Sequence, residues 1–151
     1  MLRCRLVVLI FAMLFGVAQA EDRPASFLID FELWLHGEEQ GSPRMIVEAG
    51  EPASMERGGD ADRHWRIEVE VERPAAYEQA PGNALWLQLA VYEQVDGDWE
   101  LLADTMLGVP EGQPATLTVV DGEVDEPSPE SSLVFLRATT SRLQPGEMPA
   151  N

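Results

Sequence analysis

The sequence contains no lysine and a single cysteine, Cys4. Because Cys4 lies in a segment that we expect to be removed on export, the processed chain would have no thiol for a disulfide or for nucleophilic catalysis. The serines stand in no G-x-S-x-G context, so the nucleophile elbow of α/β-hydrolases is missing as well. The fold must therefore depend on burial of apolar side chains, without covalent staples.

Positive charge is scarce. The chain has ten arginines against 27 acidic residues, and its net charge is −17. Removing Arg3 and Arg5 with the leader leaves −19. A surface of this kind repels phosphate backbones and anionic lipid headgroups, so we expect no nucleic acid and no membrane surface as partner. It suits a basic partner or loosely held divalent cations, and it is equally typical of an ordinary solvated acidic surface.

Long apolar runs are absent except at 6–16, L-V-V-L-I-F-A-M-L-F-G, which follows two arginines and precedes A-Q-A at 18–20. This order predicts a cleavable signal peptide at 1–20. The run is shorter than the roughly 20 residues of a membrane span, although an uncleaved anchor is the alternative. With the lysine-free composition, which resembles that of GC-rich bacteria, the signal predicts a periplasmic or extracellular protein.

The remaining residues alternate apolar and polar side chains, as half-buried strands do. From Phe27 to His36 every second side chain is apolar, and Trp65 to Glu72 repeats the pattern. Asp96-Gly97 predicts a type I′ hairpin turn. Eight strands are expected, at 27–36, 43–48, 53–57, 65–72, 84–95, 99–107, 115–120 and 133–143. They predict one all-β domain at 21–144, an antiparallel sandwich of immunoglobulin-like architecture, with a small barrel as the alternative and a flexible tail at 145–151.

A short internal repeat joins two strand pairs. Residues 45–55 resemble residues 106–117, and each copy is a strand, a G-[EQ]-P-A connector and another strand. Two similar hairpins in one sandwich are the interpretation that we adopt.

The first copy belongs to a stretch with S-P-R-M-I-V at 42–47, G-E-P-A-S-M at 50–55 and Gly58. Residues 42–58 resemble a hairpin of outer-membrane secretins and of small uncharacterised periplasmic proteins of proteobacteria. The resemblance implies a local hairpin and a place in the cell envelope. It does not imply pore formation, because the pore-forming strands and repeated N-terminal domains of a secretin do not fit into 131 residues.

The aromatic residues are the strongest candidates for a binding site. The alternation places Trp34, Trp86 and Tyr92 on the faces opposite the core and Trp65 inside it. Exposed aromatic rings anchor protein interfaces or stack on sugars. The alternative is that loops, or the connection at 74–83, cover them.

Residues suited to catalysis or metal binding form no recognisable motif. His36 and His64 have no partner at metal-ligand spacing, so we expect no metal and no cofactor. The acidic segment Asp121–Glu126 and the residues around the 96–97 turn place oxygen ligands at alternate positions without the EF-hand register. An ordinary acidic turn is the interpretation that we adopt at both places, with a calcium site as the alternative.

We therefore expect a non-enzymatic exported module that binds another cell-envelope protein through an acidic edge or through Trp34, Trp86 and Tyr92, with β-augmentation as one mode. A carbohydrate-binding module that uses the exposed rings is the alternative. A hydrolase working through paired carboxylates comes third, since it requires two buried carboxyl groups in one cleft.

Overall fold

The computed structural model describes residues 24–58, 64–75 and 80–144, so the predicted signal peptide at 1–20 and the predicted tail at 145–151 lie outside it. The described residues form nine strands and one short 3-10 helix at Pro129–Ser131. In chain order the strands are β1 Ser26–Leu35, β2 Glu38–Gly41, β3 Arg44–Glu48, β4 Ala53–Gly58, β5 His64–Glu72, β6 Ala84–Val95, β7 Asp98–Pro110, β8 Pro114–Val119 and β9 Val134–Arg142.

All strand pairs are antiparallel and form two sheets that share one core. In the five-stranded sheet β2 and β3 both pair with β1, and β9 and β8 follow; the four-stranded sheet has the order β4-β5-β6-β7. The predicted all-β sandwich is confirmed. The strand count is nine, because residues 38–41, expected as a loop, pair with the end of β1. The barrel alternative is wrong for the described strands, since no ladder closes either sheet on itself.

The apolar alternation of the sequence becomes the core. Phe27, Ile29 and Leu33 on β1 are fully buried, and Trp65 on β5 is 1% exposed. Burying one such side chain contributes roughly 1.5–3 kcal/mol. The core-facing residues of the four-stranded sheet include Ile67, Val69, Val71, Leu85, Leu87, Leu89 and Val91.

Two hairpin turns have positive φ at both central residues. Asp96 (φ 52°) and Gly97 (φ 93°) join β6 to β7, which confirms the predicted type I′ turn. His36 (φ 52°) and Gly37 (φ 77°) join β1 to β2 in the same way. The second turn is not expected from the sequence, because histidine is an uncommon first residue for it.

The two G-[EQ]-P-A connectors are not hairpins, and that interpretation is wrong. β3 pairs with β1 while β4 pairs with β5, so the first connector passes from one sheet to the other. The second connector does the same between β7 and β8. Each connector contains a turn with glycine at φ 78°, closed by Glu51 N–H donating to Glu48 O (3.1 Å) and by Gln113 N–H donating to Pro110 O (3.0 Å). Both are type II turns at a corner of the sandwich.

The corners relate two tandem halves of similar topology, β1–β5 and β6–β9, in which β2 and β3 together correspond to β7. Gly50 N–H donates to Val71 O and Gly112 N–H donates to Thr140 O, so each corner bonds to the last strand of its own half. Each sheet consists of the first hairpin of one half and the last hairpin of the other. The order of strands is therefore consistent with an internal two-fold arrangement, in which β1 corresponds to β6 and β5 corresponds to β9.

Candidate functional site

Two of the three aromatic residues singled out in the sequence share one surface. Trp86 and Tyr92 point away from the core on β6, so they lie half-buried on the outer face of the four-stranded sheet. Trp34 points away from the core on β1, beside Phe135 of β9, and so lies on the outer face of the five-stranded sheet. The three rings therefore do not form one surface, because the sandwich separates Trp34 from the other two.

Trp34 is half-buried and lies beside other large side chains of the five-stranded sheet. Phe135 is 7% exposed although it faces outward, and the guanidinium of Arg137 lies 5.6 Å from its ring. Arg137 also donates to Glu32 at 3.0 Å. The indole Nε1 of Trp34 is buried without a hydrogen-bond partner. Arg137 and Glu32 are thus paired with each other within the five-stranded sheet.

Arg66 organises one end of the outer face of the four-stranded sheet. Its guanidinium carbon lies 4.4 Å from the centroid of the Tyr92 ring and 4.7 Å from that of the Trp99 ring, which are cation–π distances. Its nitrogens lie 3.1 Å from Glu68 and 3.8 Å from Glu56. The Tyr92 hydroxyl donates to Glu68 at 3.2 Å. All these contacts of Arg66 therefore lie within one cluster, and they hold the rings of Tyr92 and Trp99 on the outer face of the four-stranded sheet.

Trp99 and Leu101 belong to this surface, although simple alternation along β7 does not identify them. Counting back in twos from the core-facing Ala103 would bury both. A bulge opposite the Val91/Tyr92 step shifts the register, so Leu101 pairs with Tyr92 and is 53% exposed. The 96–97 turn does identify them. When residues of β6 and β7 are paired one by one starting from this turn, Trp99 pairs with Gln94 and lies on the outer face.

The remaining apolar surface of this face lies along β7. Met106 is 57% exposed and pairs with Gln88. Trp86 packs over Gly108, where an added Cβ would come within 2.7 Å of the indole Cζ3. The absence of a side chain at Gly108 thus lets Trp86 lie flat against the sheet.

An open depression of about 200 Å³ separates the Arg66 cluster from Trp86. The small side chain of Ala90 leaves the space, since its neighbours in the row are longer. Glu68 on β5 and Asp104 on β7 flank Ala90 in the pairing register. Other residues that line the depression are Pro52, Val69, Glu70, Gln88 and Tyr92. The depression is acidic, with one aromatic wall.

One end of the sandwich holds a contact between a buried carboxylate and an exposed imidazole, which the sequence pattern does not predict. Glu93 continues the core-facing alternation of β6 and is 7% exposed, and its carboxylate lies 2.6 Å from His36 Nε2. The hydroxyl of the adjacent buried Ser132 donates to Ser128 O rather than to the imidazole. Hydrogen bonds from its own backbone N–H and from the Ser128 hydroxyl hold the pKa of Glu130 below its usual value. Because the Ser132 hydroxyl is not directed at the imidazole, we interpret the contacts of His36, Glu93 and Ser132 as structural.

The opposite end contains a hollow of about 400 Å³ beneath the connection between β5 and β6. Arg142, the last residue of β9, lines it together with Glu111 and with Arg73, which directly follows β5. The described residues around it include no aromatic ring.

Neither a cluster of metal ligands nor a membrane-spanning helix occurs in the described ranges. There, no three His, Cys, Asp or Glu side chains converge to hold a metal ion, in the 121–126 segment or around the 96–97 turn. No helix among the same residues has the length and apolar character needed to cross a bilayer. Comparisons of the chain with protein-family models, with curated proteins and with solved structures find no match in any of the three.

Proposed function

We propose that this chain is an exported, non-enzymatic interaction module of the bacterial cell envelope, and that it binds a partner protein through the outer face of the four-stranded sheet. The observation that carries the proposal is the concentration of apolar and aromatic side chains there. Leu101 and Met106 are more than half exposed, and Tyr92, Trp99 and Trp86 lie beside them on the same face. Exposed apolar groups beside aromatic residues and a polar rim are typical of protein-binding surfaces.

The carboxyl groups favour binding over catalysis. Hydrolysis by paired carboxylates requires two of them in one cleft, with at least one desolvated. Among the residues that the structure describes, Glu93 is the one buried carboxylate, and His36 binds it. The acidic groups around Ala90 lie instead on an open sheet face, where they suit recognition of charge.

The carbohydrate alternative has less support than protein binding. Stacking on a sugar requires an accessible aromatic face. Arg66 lies over the rings of Tyr92 and Trp99, and Trp86 lies on Gly108. These ring faces are already engaged within the protein.

Affinity purification of the tagged chain from crosslinked envelope extract of the source bacterium tests the proposal. The test variant is the double substitution Leu101→Ser with Met106→Ser, which removes the exposed apolar side chains of β7 without touching the core. The matched control is Ile46→Ser, because Ile46 is 50% exposed on the other sheet.

We expect one partner in near-stoichiometric yield with the unaltered chain and with Ile46→Ser, and its loss with the double variant. Equal recovery with all three chains would place the interface elsewhere. Recovery of no partner would shift weight to a small ligand, which thermal-shift screening with cell-wall sugars and divalent cations would then examine.

A further inference from the structure

β7 is a long edge strand with an unusual mixture of side chains. It spans thirteen residues and, among the described strands, pairs with β6 alone. Natural edge strands are usually shortened or charged, because an unpaired row of backbone groups invites another strand. β7 combines exposed Leu101 and Met106 with exposed Asp98, Glu100 and Asp104. An added strand would therefore meet apolar contacts and negative charge together.

The negative charge of the β7 edge determines which kind of strand can pair with it favourably. The net charge of the chain is −17, and the three exposed charged residues of β7 are all acidic. A second copy would bring like charges directly opposite each other, which destabilises a strand pair. A segment rich in arginine or lysine would instead be attracted and oriented by the same groups.

Comparison of the two halves shows what the acidic depression lacks. When strands are aligned through the corner glycines Gly50 and Gly112, Ala90 corresponds to Glu32. Glu32 pairs across its sheet with Arg137 at 3.0 Å. In the four-stranded sheet the cross-strand neighbour of Ala90 is an acidic residue, Glu68. The five-stranded sheet therefore has a cation directly across from the carboxylate at this position. In the four-stranded sheet Arg66 binds Glu68 from its own strand, and the space over Ala90 is lined by Glu68, Glu70 and Asp104.

The depression has the size of one long side chain. It is open to solvent, and its volume is about 200 Å³. Arg66 does not fill it, since its guanidinium stacks on Tyr92 and Trp99. Asp104, on the edge strand, lies between the depression and any strand added beside β7. A long cationic side chain of such a strand would pass over Asp104 toward Ala90.

We propose that a basic, extended segment of a partner protein adds to the four-stranded sheet beside β7 and places a lysine or arginine side chain in the depression over Ala90. The inference rests on the proposed function and specifies the chemistry of the partner. Backbone hydrogen bonds to the edge strand supply much of the affinity in this mode, and the side-chain pocket supplies specificity.

The probe is a short synthetic peptide in which arginine alternates with valine, titrated into the full chain and followed by fluorescence anisotropy. A version in which the backbone nitrogen of every residue is methylated keeps the charge but cannot donate the strand-pairing hydrogen bonds. The test variant Ala90→Arg fills the depression with a cation. Its control, Thr139→Arg, makes the same charge change at a half-buried site on the outer face of the other sheet. Circular dichroism establishes that both variants are folded.

We expect N-methylation and Ala90→Arg each to weaken binding about tenfold or more, equivalent to about 1.4 kcal/mol, and Thr139→Arg to change it less than about threefold. Equal binding of the methylated peptide, equal effects of the two arginine variants, or no binding of the arginine peptide would each overturn the proposal. Should Ala90→Arg not fold, Asp104→Asn compared with the exposed control Glu48→Gln tests the same surface by removing one charge.

The two proposals fail in different ways. If the envelope partner is lost with the Leu101/Met106 double variant but retained by Ala90→Arg, the interaction surface stands and its basic-segment chemistry is wrong. If the arginine peptide binds as expected while the double variant retains the envelope partner, the edge accepts basic strands but is not the natural interface.

Discussion

Gly37 offers the sharpest test of how the sandwich is closed at the end that holds the His36–Glu93 pair. Gly37 has φ 77°, and a Cβ added there would overlap the backbone oxygen of Glu130. The turn is attached by His36 N–H donating to Leu133 O (2.9 Å) and by Gly37 N–H donating to Ser132 O (3.0 Å). Gly37→Ala therefore strains the turn and also pushes it away from the segment that precedes β9.

The expected loss follows from these two effects. Alanine in the left-handed region costs about 1–2 kcal/mol. Losing two backbone hydrogen bonds costs about 1–3 kcal/mol more, at about 0.5–1.5 kcal/mol each. Gly37→Ala should lower the free energy of unfolding by about 2–5 kcal/mol. Gly50→Ala is the matched control, because Gly50 has φ 78° with no atom within 4 Å of the added Cβ, and it should cost only the first of these amounts.

Urea unfolding, followed by the fluorescence of the four tryptophans, measures both variants against the unaltered chain. The slope with denaturant should stay constant if only stability changes. Equal losses for Gly37→Ala and Gly50→Ala would refute the reasoning, since backbone strain alone would then account for both. A loss for Gly37→Ala below about 1 kcal/mol would show that the turn moves without breaking its attachment.

Three further changes test other parts of the fold. Gly108→Ala should displace the Trp86 indole, because its Cβ would lie 2.7 Å from Cζ3, and cost about 1–3 kcal/mol; an unaltered near-UV circular dichroism spectrum would contradict this. His36→Asn tolerates the positive φ but is too short to reach Glu93, so urea unfolding should show a loss of about 1–3 kcal/mol, and a double-mutant cycle with Glu93→Gln should show coupling. Leu87→Ala, at a fully buried site, should cost about 2–5 kcal/mol by the same assay, and a smaller loss would indicate that the core collapses around it.

The fold class followed from local sequence patterns because a strand buried on one face must repeat every two residues. The period fixed the core face of β1 and the inward position of Trp65, and Asp96-Gly97 fixed one turn. The same two-residue period, extended by one repeat beyond Val91, also predicts a buried side chain at Glu93. Local pattern does not explain how a carboxylate can be buried there, because its partner, His36, is 57 residues away in the chain.

The corners and the candidate surface depend on contacts that local pattern does not contain. A strand, a glycine turn and a strand look alike whether the second strand returns to its own sheet or enters the other one. What separates the two outcomes is the bond from Gly50 N–H to Val71 O, formed over 21 positions of the chain. The outward position of Trp99 depends in the same way on a bulge, which is a property of the pairing with β6.

The tandem halves explain why their sequences agree at the corners and differ elsewhere. A type II turn requires a residue with positive φ at one position, and Gly50 and Gly112 meet that demand with the same φ and equivalent hydrogen bonds. Strand positions require only an apolar or a polar side chain, so the two halves need not share residues there. Outward positions are the least constrained, and at one of them Glu32 in the first half corresponds to Ala90 in the second. The five-stranded sheet thus pairs Glu32 with Arg137 across its strands, whereas the four-stranded sheet has an open acidic space over Ala90 beside the β7 edge. That asymmetry is the physical basis for proposing that the binding surface lies on the four-stranded sheet.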